Sequence, residues 1–237
     1  MRILEKAEAV RLGLVGRLYP EILAPSFAPE ELGEPWDDDH APPGLLLVAS
    51  DEAAESVLGC AVGETYPRSQ TLLLGYLAVK PGIRGGGVGA ALMHAVRERW
   101  LGTATLALAE IDDPRHHEVH DGYGDPWARL RFYERFSVEA LAAPYFQPSL
   151  APGYPRAYHL MLCRILSPRA SLPEATVSGD RVRAFLREYF TACEGPGSLE
   201  DAQVRWLVDA YPDVIDLIPL TDLSRIPHPE PPPAGTR

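Results

Sequence analysis

Three short apolar runs follow one another between Gly44 and Val79: "GLLLVAS", "SVLGCAVGETY" and "TLLLGYLAV". Each is bounded by polar or turn residues and too short for an ordinary helix, so they read as successive strands, the first two spaced for a hairpin. No other stretch constrains the fold as much, because meandering strands need other elements to cover their faces. The third run leads into "VKPGIRGGGVGAALMHAVRERW", Val79–Trp100. There Pro81 ends the strand, Gly85, Gly86 and Gly87 follow, and Leu92, Ala95 and Val96 lie on one face of a helix starting near Val88.

The flanking segments supply the covering elements. Upstream, Leu4, Ala7, Leu12, Val15 and Leu18 are at helical spacing and predict a helix over Ile3–Leu18. A proline-bounded helical turn in "EILAPSFAPEELGE" and an exposed loop, "PWDDDHAPPG", complete the N-terminal part. Downstream come a strand ("TATLALAEI"), a polar loop ("DDPRHHEVHDGYGD"), a helix opening on proline ("PWARLRFYERF") and a late strand ("YHLMLCRIL"). Two amphipathic segments, "GDRVRAFLREYFTAC" and "LEDAQVRWLVDAY", predict helices, and the proline-rich end, "IPHPEPPPAGTR", predicts a disordered tail. A meander followed by alternating helices and strands predicts an α+β fold, a mixed central sheet with helices on both faces. The expected division is a main domain over 1–168, a C-terminal helical extension over 169–226 and a tail over 227–237.

Composition narrows the function classes. At 237 residues and 46% hydrophobic content the chain can bury a real core. No run approaches the length of a membrane span, and the N-terminus has acidic residues and lacks the long apolar stretch of a signal peptide. The three cysteines (Cys60, Cys163, Cys193) form no CxxC pair, which predicts reduced thiols and a cytoplasmic protein. Residues 1–60 carry twelve Asp/Glu against four Lys/Arg, −8 of the chain's net −11. With a pI near 5.1 and no basic stripe, nucleic acid and membrane are not expected partners. The acidic surface serves solubility and can attract a cation.

The glycine stretch admits three interpretations. A dinucleotide-binding fingerprint is superficially present as Gly85-x-Gly87-x-x-Ala90 with Glu110 further on, but "KPGIR" separates it from its strand, and upstream meander strands do not suit that fold. A P-loop has no match. The third places a pyrophosphate on the N-terminus of the helix, with Arg84 supplying charge and Gly85, Gly87 and Gly89 keeping side chains clear. Read this way, Arg84-x-x-Gly87-x-Gly89 is R-x-x-G-x-G.

"LAVKPGIRGGGVGAALM" resembles, in order and spacing, the acetyl-CoA-binding motif (Q/R)-x-x-G-x-(G/A) of the GNAT superfamily of N-acetyltransferases. "RFYERFSV" resembles that family's F-Y-x-x-x-G-F stretch, except that Ser137 replaces its glycine and Val138 its last aromatic. The segments "YPEILAPSFAPEEL", "EIDDP" and "PYFQP" resemble those of a bacterial branch. The resemblance spans about residues 10–166 and implies an enzyme that moves an acetyl group from acetyl-CoA to an amine, without a metal. It implies pantetheine contacts along Leu77, Ala78 and Val79 and pyrophosphate contacts from Arg84, Gly85, Gly86, Gly87, Val88, Gly89 and Ala90. It also implies that Tyr133 reprotonates the leaving thiolate, and a homodimer is common in the family.

Attack by an amine on a thioester needs a group to take the amine proton. Glu110, closing its strand, is the first candidate base, and Glu64, closing "GCAVGE", the second. The acidic N-terminal part favours a small cationic amine as acceptor. A non-catalytic acyl-CoA-binding module is the alternative. The histidines of "HHEVH" (His116, His117, His120) do not make a zinc motif, because Asp121 stands where HExxH requires its second histidine.

Overall fold

A computed structural model describes residues 1–119, 123–166 and 175–227. The expected disordered tail falls almost wholly outside these residues, as does His120. The three predicted strands form as β2 (Leu45–Ser50), β3 (Val57–Tyr66) and β4 (Thr71–Val79), an antiparallel meander. The N-terminal helix is shorter than its spacing predicts. Arg2–Glu5 is an edge strand, β1, pairing with β2, and only Lys6–Arg11 is α-helical (α1). Gly13, at φ +65°, ends the helix, and single helical turns at Val15–Arg17 and Tyr19–Leu23 follow. Leu4 is buried in both cases, so one apolar residue served two patterns.

Helix α2 (Val88–Arg99) leads to β5 (Leu106–Asp112), α3 (Pro126–Glu134), the short β6 (Glu139–Leu141) and β7 (Leu160–Arg164). The expected C-terminal helices form as α4 (Gly179–Glu194) and α5 (Ala202–Asp209). The C-terminal extension is not helical alone: β8 (Thr176–Ser178) and β9 (Val214–Pro219) bracket these helices. β9 pairs with β6, so the extension continues the main sheet. The order is β1-β2-β3-β4-β5-β7-β6-β9-β8, with one parallel neighbour pair, β4–β5.

Strand alternation divides the core. On one face Leu47, Ala61, Leu72, Leu74, Ala109, Ile111 and Cys163 pack under α2 and α3. On the other, residues one position away meet two separate covers. Leu46, Val48, Cys60 and Val62 pack under the N-terminal helical turns, and Leu73, Leu106, Leu108, Leu162 and Leu217 pack under α4 and α5. The mixed sheet with helices on both faces is as predicted, and the second face has a division down its middle.

Arg156 fastens the extension to the rest. It lies 5.6 Å from the ring centroids of both Phe146 and Phe190 and bonds to Glu194 at 2.6 Å, Asp201 at 2.9 Å and Gln203 at 2.9 Å. At the other end of the sheet's long axis, Glu188 of α4 accepts hydrogen bonds from the amides of Arg68 and Ser69 in the β3–β4 turn, at 3.0 and 2.7 Å.

Candidate active site

β4 and β5 pair only from Thr71 to Leu74 and from Leu106 to Ala109. At that point the β3–β4 register slips: Val62 faces Tyr76 and Gly63 faces Leu74, leaving Gly75 as the extra residue of a bulge. The bulge turns the rest of β4 away from β5 and opens a gap. Which main-chain groups face the gap follows from the antiparallel alternation. The Lys80 amide bonds to the Leu58 carbonyl (2.9 Å), so Ala78 and Tyr76 turn their main-chain groups toward β3. Leu77 and Val79 turn theirs toward the gap.

A cavity of about 400 Å³ lies beside this strand end, lined by Leu77, Ala78, Val79, Arg84, the glycine loop and α3. Gly85 and Gly87 have φ of +89° and +85°, a left-handed backbone that other residues adopt only under strain. A Cβ at either would meet nothing within 4 Å, so the conformation, and not crowding, calls for glycine. Gly87 is the N-cap of α2, with no side chain to satisfy the amides of the first turn. Those amides, the helix dipole and Arg84 make a site for an anion. Gly86 and Val88 stand off the cavity wall: the Gly86 amide bonds to the Ile83 carbonyl (3.3 Å), and the Val88 side chain is buried in the core. Gly89 and Ala90 line it.

Arg84 is held by Ser26 Oγ (3.1 Å) and the Val79 carbonyl (3.5 Å). Burial and the neighbouring charge of Arg129 lower its pKa, a strain that a bound anion relieves. Arg129, which the sequence did not single out, reaches the cavity from α3, pairs with Asp112 and bonds to the Tyr123 carbonyl (3.1 Å). Asp112 in turn sits by Glu31, whose carboxyl is pushed up to about 8, first by burial and then by Asp112.

Tyr133 lines the same cavity from α3, 6% exposed, and burial pushes its phenol up to about 12. Ser137, just past the helix, has φ +55°. It adopts the left-handed turn that glycine would favour, so the departure from the resembled motif leaves the turn in place.

Glu110 alternates with Ala109 and Ile111 and so faces the opposite side of the sheet from Tyr133. There, in the division between the two covers, lies a cleft of about 580 Å³. Its walls hold three carboxylates (Glu34, Glu64, Glu110) and the aromatic rings of Trp36, Tyr66, Tyr76 and Tyr189, with no lysine or arginine. Glu64 lies exposed at its rim and accepts a hydrogen bond from Tyr66 Oη (3.3 Å). The Tyr76 hydroxyl donates to the Glu31 carbonyl (2.9 Å) and accepts from the Gly33 amide (3.3 Å), fixing the N-terminal wall.

The structure thus brings Leu77, Val79, Arg84, Gly85, Gly87, Gly89, Ala90 and Tyr133 to one cavity and Glu110 and Glu64 to the cleft across the sheet. Burial raises the Glu110 carboxyl to about 7, while hydrogen bonds from Tyr145, Gln147 and Tyr189 oppose the rise. Tyr189 carried only a core signal in the sequence, as part of an apolar stripe, and nothing marked Tyr145 or Gln147 as polar partners. Their spacing in "PYFQP", two apart, is the one available hint that both reach the same side.

Among the described residues no cluster of three or more histidine, cysteine or carboxylate side chains is arranged to hold a metal ion, and no helix is long and apolar enough to cross a membrane. His116 stacks on His159 with ring centroids 4.5 Å apart.

Comparison with known proteins finds a matching domain model and similar folds. Residues 42–137 match the model of the acetyltransferase (GNAT) domain. A GNAT-family protein from Bacteroides thetaiotaomicron superposes with a TM-score of 0.52 at 17% identity, covering 80% of this chain and 99% of its own. A second, from Desulfovibrio desulfuricans, gives 0.42 at 20% identity, covering 70% of this chain and 98% of its own. No curated protein matches. The matched segment holds β2 to α3, and with them the bulge, the glycine loop, Glu110 and Tyr133; over these residues the chain is similar to the acetyltransferase (GNAT) domain, and its fold is that of the Bacteroides protein.

Proposed function

We propose that this protein is an N-acetyltransferase that moves the acetyl group of acetyl-CoA to a primary amine on a small cationic molecule. One observation carries the proposal: an anion-suited cavity and a carboxylate-lined cleft lie on opposite faces of the sheet and share the opened end of β4. The cavity suits a pyrophosphate at the start of α2 and a pantetheine arm along the free main-chain edge of Leu77 and Val79. The cleft suits an amine, because its carboxylates and aromatic faces attract a cation.

In this scheme the amine nitrogen attacks the thioester carbon, directly and without an acyl-enzyme. Glu110, held near neutrality, takes the amine proton, itself or through water. The C–S bond breaks, and Tyr133, fully protonated below a pKa of about 12, gives its proton to the departing thiolate. The products are an amide and CoA, and solvent returns the two side chains to their starting states. Glu64, at the rim, is placed to hold a second positive charge of the acceptor.

The test is a panel of di- and polyamines, aminoglycoside-like amines, neutral aromatic amines and peptides, scored by thiol release from acetyl-CoA. Turnover concentrated among small polycations is expected. Turnover restricted to neutral amines or peptide termini refutes the substrate class. Tight acetyl-CoA binding by calorimetry with no turnover on any amine makes the protein a cofactor-binding module instead.

A further inference from the structure

The three groups that bond to Glu110 come from outside the segment that matches the GNAT domain. Tyr145 and Gln147 lie after β6, and Tyr189 lies on α4, whereas the match ends at residue 137. Tyr145 Oη donates to Oε1 and Gln147 Nε2 to Oε2 at 2.9 Å, while Tyr189 Oη lies 3.2 and 3.3 Å from the two oxygens. We infer that Tyr189 and Gln147 are positioning residues, supplied by the C-terminal part of the chain, that orient the Glu110 carboxylate and keep it ionised for the amine. This inference rests on the proposed function only in giving Glu110 a use; the hydrogen bonds themselves do not depend on it.

The geometry suits orientation. A carboxylate offers about four acceptor positions, and three donors leave room for an incoming N–H. Each donor is itself held. The Tyr189 ring lies 5.5 Å from Phe185, nearly parallel to it, and 5.6 Å from Tyr66, edge to face. The Gln147 amide bonds to the Ala157 carbonyl at 2.9 Å, fixing its backbone. Among the described residues, the buried Oε1 of Gln147 has no hydrogen-bond partner. Turning the amide over would set an oxygen against an ionised Glu110, so the orphaned oxygen marks an amide oriented by a carboxylate.

The electrostatic surroundings leave these donors as the main support of the charge. Facing Glu110 are Tyr66 and Glu64 from β3, Tyr76 from β4, Tyr145 and Gln147 from the β6–β7 connection, and Tyr189 and Cys193 from α4. None is a cation. Removing a donor therefore removes stabilisation of the ionised form, and its apparent pKa must rise.

The test needs no substrate. In protein labelled with ¹³C at glutamate carboxyls, the Glu110 signal is identified by its loss in Glu110→Gln, and its titration is followed by NMR. A midpoint near 7 is expected in the wild type. Tyr189→Phe, which keeps the ring, and Gln147→Leu should each raise it by about one pH unit, at an unchanged melting temperature for Tyr189→Phe. If either variant folds and leaves the Glu110 midpoint where it was, the inference fails for that residue. Should Gln147→Leu not fold, Gln147→Glu titrated alongside serves instead, because a second carboxyl at that place must raise the Glu110 midpoint further. Whether Glu110 is the base is decided separately, by turnover of Glu110→Gln. A shifted midpoint with fully active Glu110→Gln would leave the positioning intact and refute only the catalytic use.

Discussion

The two faces of the sheet are built from different kinds of information. The cavity face draws mainly on one stretch, β4 through α3, in which the strand end, the glycine loop, the helix N-terminus and Tyr133 follow in chain order, with Ser26 and Phe27 added from the N-terminal part. The cleft face gathers residues 33–44, β3, β5, residues 147–152 and α4 from across the whole chain. The first offers a ligand backbone groups and glycine conformation, the second side chains. A local site can be carried as a motif and kept through wide divergence, whereas a dispersed one can be altered wall by wall. That division suits a common donor and a variable acceptor.

The comparison can be broken at several points, beginning with the largest effect. Truncation after Pro168 removes β8, β9, α4 and α5, leaving β6 without its outer partner and the apolar residues under α4 uncovered. Loss of soluble, cooperatively folding protein is expected by size-exclusion chromatography and thermal melting. A soluble truncation of equal stability would mean that the cleft face can be separated from the domain.

Glu110→Gln comes next, with kcat lower by about 10²–10⁴ at neutral pH and recovery at high pH as the amine deprotonates unaided. The wild-type rate should fall about tenfold per pH unit below about 7, because the base must be ionised and its pKa is raised to that value. An unchanged pH profile in Glu110→Gln transfers the role to Glu64.

On the other face, Gly87→Val places a β-branched residue at φ +85°. The loop must rearrange, and acetyl-CoA affinity should weaken about ten- to a hundredfold by calorimetry, with the fold retained because no atom stands in the way of the new Cβ. Wild-type affinity would remove the glycine loop from the cofactor site.

Tyr133→Phe should be milder, about tenfold in kcat, since a thiolate leaves readily. The loss should be constant with pH up to about 12, the value below which the phenol keeps its proton. A variant as active as wild type makes this tyrosine structural.

The smallest effect is on stability. The Glu31 carboxyl is raised to about 8 in the folded protein, which therefore holds a proton that the unfolded chain releases near the ordinary carboxylate value. Stability contributed at that site is present below the unfolded pKa and declines as pH rises toward 8. Glu31→Gln should flatten that decline between pH 5 and 8 in melting temperature, and an unchanged slope would place the proton elsewhere.

What the sequence made legible follows the same division. Strands β2 to β5 and helices α2 to α5 were readable because each buries one regular face. Strand β1 was not, since Leu4 fits a helical spacing as well as an edge strand, and β6, β8 and β9 are short and defined by pairing across distant segments. The glycine loop was readable because its demand is on local φ. Glu110 stood out from its place at the end of the predicted strand, although β5 runs on to Asp112, but its hydrogen-bond partners did not. Tyr189 in an apolar helix stripe looks like core, and only the fold brings its hydroxyl to a carboxylate 79 residues away in the chain.

The contacts of Glu188 with the β3–β4 turn impose an order in time. Arg68 and Ser69 leave the ribosome well over a hundred residues before the carboxylate that caps them. The turn is therefore uncapped until α4 has been made, and closure of these long-range contacts is a slow, late event. During that interval Tyr66 and Leu73 of the meander, with Leu106 and Leu108 of β5, lack the cover that α4 and α5 supply, so this is when a chaperone has most to bind. The matched domain is translated before α4 and α5, but acetyl transfer as proposed begins only once those helices are in place.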